Sequence, residues 1–317
     1  MPSLKELSKN KGLFTGGHRA CAGCAGSIII NQTLCVAGEH TILSFATGCM
    51  EVVTTIYPYT AFAVPYMHIA FENAAAGISG VESAYKALKR KGKLGGSVGG
   101  FAEGKRADKW NFIAFGGDGG TYDIGLQALS GAIERGHNFL YICYNNEAYM
   151  NTGIQRSSAT PYGAHTTTSP AGTVIPGKLQ FRKNLTEIIA AHGAPYVAQA
   201  APSHWVDFTH KVEKALNTEG PAFINVLSPC PLGWRFPANK TIEISRLAVE
   251  SKFWPLYEVV NGKYKLNYRP RKEVTIKDWM KLQGRFRHLF TPVNEKIIAG
   301  CQADIDKQWE KILERCE

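Results

Sequence analysis

Short apolar runs alternate with helical patterns through the middle of the chain. "HTILSFATG" (40–48) reads as a strand, and "MEVVTTIY" (50–57) opens a helical segment. "TAFAVPY" (60–66) reads as extended. "ENAAAGISGVESAYKALKRKG" (72–92) carries small and apolar residues at helical spacing and stops at a glycine. "WNFIAFGG" (110–117) is predicted to be a buried strand. "TYDIGLQALSGAIERG" (121–136) is predicted to be a helix with Ile124, Ala128, Leu129, Ala132 and Ile133 on one broad face. "NFLYICYNN" (138–146) is the next strand. A helix (183–192), the strand "YVAQA" (196–200), a helix (203–220) and the strand "PAFINVLSP" (221–229) complete the series. This alternation predicts an α/β fold, a doubly wound, mostly parallel sheet with helices on both faces. One long polar stretch, 151–172, interrupts it, and a loop of that length inside a compact domain is usually functional. Past residue 236 the pattern changes: Trp, Pro and charge mix, then a helical pattern closes the chain. The expected organisation is one α/β domain over 1–235, with an extension, 236–317, packing on that domain or on partner subunits.

Size and composition narrow this picture. With 317 residues, 44% of them hydrophobic, the chain can bury a substantial core. No run of about 18 apolar residues predicts a membrane helix. The polar start "MPSLKELSKNKG" lacks the apolar stretch of a secretion signal, so a cytoplasmic location is expected. The net charge is +10, but the basic residues are scattered, with one short cluster, "KALKRKGK" (86–93). No nucleic-acid-binding motif accompanies that charge, so a nucleic-acid function is not expected. Eight cysteines stand at 21, 24, 35, 49, 143, 230, 301 and 316. In a cytosolic chain they point to metal or cluster ligation rather than a disulfide framework.

"GGDGGTYDIG" (116–125) sits directly after the strand "NFIAF". It resembles a phosphate site, yet it holds no lysine or arginine to meet phosphate charge. In an open parallel sheet, ligands sit beyond the carboxyl ends of the strands. Asp118 lies at one such end, and Asn145 and Asn146 lie at the next, with 28 residues between Asp118 and Asn146. A carboxylate and an amide oxygen would meet there. Oxygen ligands of this kind suit Mg²⁺, with a diphosphate completing the shell, and the metal would replace the missing lysine. Gly116, Gly117, Gly119 and Gly120 would let the backbone turn and approach the phosphates, with the following helix N-terminus adding a favourable dipole. A plain strand-to-helix turn is the alternative reading.

The cysteines form a second constellation. Cys21 and Cys24 make a C-x-x-C in "HRACAGCAGS", Cys49 lies in "ATGCME" and Cys230 in "LSPCPLGW". Each has small or turn-forming neighbours, whose backbone N–H groups can hydrogen-bond to sulfur. Four thiolates could hold Zn²⁺ or an iron–sulfur cluster, and unrelated core thiols are a third reading. One C-x-x-C joined by two distant cysteines suits a cofactor lodged in the fold rather than a zinc ribbon. Cys35 and Cys143 read as buried core thiols, and Cys301 and Cys316 are given no role. His18 and His68 read as structural or surface histidines, although His68 could touch phosphate.

"GDGGTYDIG … YNNEAYMNTG" resembles the thiamine-diphosphate fingerprint, GDG followed after some 25–30 residues by NN. That resemblance implies a thiamine-diphosphate-binding fold. It also implies that Asp118, the Asn146 side chain and the Ala148 carbonyl hold Mg²⁺, with Asn151 reaching toward the thiazolium and substrate. Thr152 and Arg156 are weaker candidates for the same pocket. With "GHRACAGC", "ATGC", "HIAFENAAAGISG" and "SPCPLGW", nearly the whole chain is similar to the β subunits of the 2-oxoacid:ferredoxin oxidoreductases, most of all the pyruvate-type members. The resemblance implies that Cys21, Cys24, Cys49 and Cys230 hold a [4Fe–4S] cluster, and that Gly117, Gly119, Gly120, Thr47 and Gly48 line the cofactor. It implies oxidative decarboxylation of a 2-oxo acid, with electrons leaving through the cluster to ferredoxin and the acyl group passing to coenzyme A.

A pyrimidine-domain (α) subunit must then supply the glutamate that activates thiamine, and a γ subunit and a ferredoxin-like δ subunit or module complete the complex. The chain is expected to be inactive alone. Two departures stand out: Cys24 continues as Ala25-Gly26-Ser27, and Leu232 replaces a threonine common in pyruvate-type members. Oxalate and branched-chain 2-oxo acids therefore remain open as substrates. A non-redox thiamine enzyme and a metal-binding scaffold subunit are the rival readings.

Overall fold

The computed structural model describes residues 3–10, 12–94 and 109–316; Met1, Pro2 and Lys11 of the polar N-terminal stretch lie outside them. The elements run α1 (Leu4–Leu7), α2 (Ala25–Ala37), β1 (Thr41–Ala46), α3 (Cys49–Thr54), β2 (Tyr66–Ile69), α4 (Ala74–Arg90), β3 (Asn111–Gly117), α5 (Leu126–Glu134), β4 (Leu140–Asn145), α6 (Leu185–Ala191) and β5 (Tyr196–Ala200). They continue through α7 (Trp205–Asn217), β6 (Ala222–Leu227), α8 (Pro231–Trp234), α9 (Thr241–Glu250), β7 (Tyr257–Val260), β8 (Lys263–Leu266), α10 (Ile276–Lys281) and α11 (Glu295–Arg315). Among the described residues no helix is long and apolar enough to cross a membrane.

The eight strands form one sheet in the order β2-β1-β3-β4-β6-β5-β7-β8. The pairings from β2 to β5 are parallel, and β7 and β8 are antiparallel additions at one edge. Every residue of β4 and β6 is buried, as continuous apolar runs covered on both faces require. On one face Ile29, Ile30 and Leu34 of α2 and Phe208 and Val212 of α7 pack on Phe45, Phe115, Ile142 and Ile224. On the other, Ile78 of α4, Leu129 and Ile133 of α5 and Ile189 of α6 pack on Phe112, Tyr141 and Phe223. Each such side chain contributes about 1.5–3 kcal/mol by leaving water. A third apolar layer, centred on Trp234, Trp254 and Trp279, joins the chain beyond residue 236 to the sheet end at Leu227.

The predicted alternation is present, with local corrections. The strand expected at 60–66 is Tyr66–Ile69 instead, because Tyr66 to Ile69 pair with Leu43 to Ala46 while the preceding residues form turns. The helix expected from 121 begins earlier, as a wide π-turn over Gly119–Asp123, and becomes regular only at Leu126. That altered winding leaves Ile124 56% exposed, off the apolar face it was assigned to. Cys143 is buried as expected, but Cys35 is only partly buried, on the outer side of α2. The β7–β8 hairpin was not anticipated. Its turn is Asn261-Gly262, with φ of +48° and +79°, the pair of left-handed residues that a two-residue hairpin needs.

Candidate cofactor sites at the carboxyl ends of the strands

Register explains why the candidate residues meet. Phe45 pairs with Phe115, Gly117 with Tyr144, and Asn145 with Leu227. The neighbouring strands β1, β3, β4 and β6 therefore end together. The residues that follow them are Thr47-Gly48-Cys49, Asp118, Asn146 and Ser228-Pro229-Cys230. This is the edge where an open parallel sheet presents ligands.

Asp118 is 1% exposed. Its Oδ1 accepts the Asn146 backbone N–H at 3.2 Å, and its Oδ2 accepts the Ser157 hydroxyl at 2.5 Å. Burial pushes its carboxyl up to about 8, partly opposed by the Ser157 bond. The Asn146 side-chain amide turns one atom toward both Asp118 Oδ1 and the Ala148 carbonyl, at 2.8 Å from each. As NH₂ that atom donates to both. As oxygen it brings three oxygens together with no proton among them, the donor set of a hard divalent cation. The residues present thus fit Mg²⁺. Asn145 is turned away, its Nδ2 donating to the Tyr122 hydroxyl at 2.8 Å and its Oδ1 accepting the Glu147 N–H at 3.0 Å.

The glycines make room for neighbours rather than for one another. A Cβ at Gly119 would enter the Tyr149 ring, and one at Gly120 would stand 2.9 Å from the Phe71 carbonyl. A Cβ at Gly48 would stand 3.0 Å from the Tyr144 hydroxyl, and one at Gly117 3.3 Å from the same ring. Tyr144 therefore fills the space between the ends of β1 and β3, at Gly48 and Gly117. Thr47 Oγ1 lies 2.7 Å from His68 Nε2, while His68 Nδ1 lies 3.4 Å from the buried Glu51 carboxylate. Asn151, Thr152 and Arg156 are exposed in the loop closed by the Tyr149–Gln155 bridge, outside the buried oxygen cluster.

None of the eight cysteines forms a disulfide. Four of them, Cys21, Cys24, Cys49 and Cys230, lie in electrostatic range of one another. Burial pushes the Cys49 thiol up to about 12, and the nearby Cys230, Cys24, Asp118 and Cys21 add to the rise. Cys230 rises to about 11 through burial, with Cys24 and Cys21 contributing. Among the described residues no group of three or more His, Cys, Asp or Glu side chains is placed to hold a metal ion, and Cys21 is exposed. The surroundings nonetheless suit sulfur-held metal. The Ser27 and Gly26 N–H groups face Cys24, and Gly233 and Leu232 face Cys230. Gly233 N donates to Cys230 Sγ at 3.3 Å. Met50 Sδ stands 3.8 Å from Cys24 Sγ, and Met150 fills the space that a Cβ at Gly233 would need. Donors to sulfur inside a thioether-lined shell are what thiolates need when they bind metal out of water. The C-terminal extension grips this loop: Thr241 Oγ1 donates to the Gly23 carbonyl at 2.6 Å.

Sequence reasoning missed Ser157, Trp234 and Arg285, and gave Glu147 no role. Ser157 sat in the long polar loop that the pattern had marked as functional. Trp234 and Arg285 had only the "GW" and "GRF" contexts, which carry no spacing signal.

Residues 46–226 match the family described as thiamine pyrophosphate enzyme, C-terminal TPP binding domain. The pyruvate synthase subunit PorB of Thermotoga maritima is 52% identical over 313 residues, covering 98% of this chain and 94% of that protein. The PorB subunit of Methanocaldococcus jannaschii is 56% identical over 285 residues, covering 90% and 92%. The ketoisovalerate oxidoreductase subunit VorB of Pyrococcus abyssi is 45% identical over 308 residues, covering 96% and 93%. A solved 2-oxoglutarate:ferredoxin oxidoreductase from Magnetococcus marinus shares the fold, with a TM-score of 0.54 and 19% identity over 72% of this chain and 77% of that one. The fold is that of the thiamine-pyrophosphate enzymes. Within that class, the chain belongs to the family of the PorB pyruvate synthase subunits, β subunits of the 2-oxoacid:ferredoxin oxidoreductases.

Proposed function

We propose that this chain is the cofactor-binding β subunit of a cytoplasmic pyruvate synthase, converting pyruvate and coenzyme A to acetyl-CoA and CO₂, reversibly, with ferredoxin as electron acceptor. The observation that carries this reading is the meeting of two donor sets at one sheet edge. Asp118, the Asn146 side-chain amide and the Ala148 carbonyl lie within hydrogen-bond reach of one another, and Cys49, with Cys24, Cys21 and Cys230 in electrostatic range, follows the neighbouring strand end. The first set would hold Mg²⁺ and through it thiamine diphosphate; the second would hold a [4Fe–4S] cluster. When bound, the thiamine supplies the electron sink for decarboxylation and the cluster a one-electron exit.

The residues of this chain bind, orient and exclude water. Gly119 and Gly120 let Tyr149 and Phe71 pack against the turn after Asp118, and Ser157 fixes the Asp118 carboxylate. Tyr144 fills the space between Gly48, beside Cys49, and Gly117, beside Asp118. Thr47, Gly48, Asn151, Thr152 and Arg156 would border the substrate and the α subunit. The activating glutamate must come from that pyrimidine-domain subunit. Glu147, the one buried carboxylate beside the metal residues, is committed to Arg285 at 2.6 Å. A γ subunit and a ferredoxin-like δ subunit or module complete the assembly, with residues 236–317 as the extension that braces the cluster loop.

The anaerobically assembled complex, assayed for ferredoxin reduction with pyruvate, oxalate and 2-oxoisovalerate, with and without coenzyme A, tests this. Pyruvate with coenzyme A is expected to give the highest kcat/KM, and the reduced protein to show an iron–sulfur electron paramagnetic resonance signal. Protein lacking iron overturns the redox reading. Preference for 2-oxoisovalerate would instead favour the branched-chain reading, which the 45% identity to a ketoisovalerate oxidoreductase subunit keeps in view.

A further inference from the structure

Glu147 stands between two of the oxygen-site residues and occupies an unfavourable position twice over. It is a non-glycine residue with φ of +65°, and its carboxylate is wholly buried. A left-handed backbone and a buried charge persist only where the surroundings over-determine them. Arg285, 138 residues away in the C-terminal extension, supplies the determination: its Nη2 donates to Glu147 Oε2 at 2.6 Å. Glu147 Oε1 has no hydrogen-bond partner, and Arg182 Nη1 stands off at 3.8 Å, so Arg285 is the principal counter-ion.

The same guanidinium reaches the sulfur side. It lies over the Trp234 ring, 3.9 Å from its centre. Trp234 ends the short helical turn that Cys230 opens, and its backbone N–H donates to the Cys230 carbonyl at 2.9 Å. Its indole Nε1 crosses to the oxygen side and donates to the Asn146 carbonyl at 2.8 Å. Arg285 is itself held by Gln283, whose Oε1 accepts from its Nε at 2.9 Å, and it is 2% exposed. Burial works against its charged form, and Glu147 first, then Cys230 and Asp118, oppose that loss.

We infer that Arg285 is a positioning residue shared by the two sites: through Glu147 and Trp234 it fixes the Asn146–Ala148 segment for the divalent cation, and its fixed positive charge beside Cys230 raises the reduction potential of the group the four thiols hold. This rests on the functional reading above. The charge matters because reduction adds an electron, which a nearby buried cation stabilises. The fork matters because a planar guanidinium can pair with a carboxylate and stack on an indole at once, which an ammonium cannot do.

The test uses the assembled complex, purified without oxygen, with two readouts apart from turnover: the Mg²⁺ concentration dependence of thiamine diphosphate binding, and the midpoint potential of the β-subunit cluster by redox-poised electron paramagnetic resonance. Arg285→Gln is expected to weaken Mg²⁺ binding by about 10–100-fold, the usual loss on removing an outer partner of a metal site, and to move the potential to more negative values. Arg285→Lys is expected to weaken Mg²⁺ binding while leaving the potential near that of the wild type. Ile312→Ala, in a different core, controls for general loosening and should move neither. If Arg285→Gln fails to assemble, the Lys variant carries the test, and an unchanged Mg²⁺ dependence in it overturns the inference. A wild-type complex without a cluster signal overturns the functional reading and this inference with it. A wild-type complex with both signals, and a Gln variant that shifts only one or neither, overturns the inference alone.

Discussion

The oxygen site and the thiol site lie side by side, yet they are built on opposite principles. The oxygens come from within three residues of the ends of β3 and β4, strands largely buried on both faces, and Asp118 and Asn146 are themselves buried. Their backbone positions follow the sheet ladder, and Ser157 and Arg285 add side-chain contacts to Asp118 and Glu147. The thiols come from a turn, at Cys21, and from three helix starts, at Cys24, Cys49 and Cys230, and range from half-buried to exposed. Their positions depend on contacts from elsewhere: Thr241 on the Gly23 carbonyl, Met50 on Cys24, Gly233 on Cys230. A hard cation with short bonds to oxygen rewards pre-set geometry. Thiolates on loops can instead be drawn together by the metal they bind, because binding itself contributes ordering free energy.

That contrast can be broken by experiment. Asp118→Ala should have the largest effect, weakening Mg²⁺-dependent thiamine diphosphate binding by more than the roughly 10–100-fold that loss of an outer partner costs; isothermal titration of the complex measures it, and binding within that range would mean the carboxylate is not a direct ligand. Cys49→Ser should come next, abolishing the β-subunit cluster signal and lowering iron content while thiamine diphosphate binding survives. Retained iron after that change would show that Cys49 is not part of the sulfur site.

Smaller changes sharpen the comparison. Trp234→Phe leaves the Asn146 carbonyl without its indole donor, at a cost of about 1–3 kcal/mol in denaturant unfolding. It should also loosen the oxygen site more than the thiol site, seen as a higher Mg²⁺ requirement. Gly26→Ala should cost least, about 1 kcal/mol, because the added Cβ meets Met50, a flexible thioether that can move aside. A much larger loss there would show that the thiol loops are as rigid as the strand ends.

How much of this was legible depended on whether the signal was local. Asp118 and Asn146 could be found because each follows a recognisable strand, and strands adjacent in a parallel sheet bring their ends together. The C-x-x-C, and the single cysteines among glycine and proline, were visible for a similar reason. The wide turn after Asp118 was not, since "GGTYDIG" reads as an ordinary helix start and the π-turn is imposed by Tyr149 and Phe71 packing against Gly119 and Gly120. The β7–β8 hairpin had a strong local sign in Asn261-Gly262, but it lay in a tail whose mixed composition drew attention from its alternation. Glu147 and Arg285 had no local sign at all, and Ser157 had only its place in the long polar loop.

Periodicity and turn chemistry alone determined which segments are strands, which are helices, and which residue types stand at the strand ends. These depend on neighbours within a few positions, where side-chain period and backbone preference act directly. Only the folded chain decided that a serine from the long loop would hold Asp118, and that an arginine from the far extension would pair with Glu147 and lie over Trp234. Buried charges and left-handed residues are tolerated only where distant groups compensate them, and the distance along the chain between those groups carries no repeating pattern that a sequence could display.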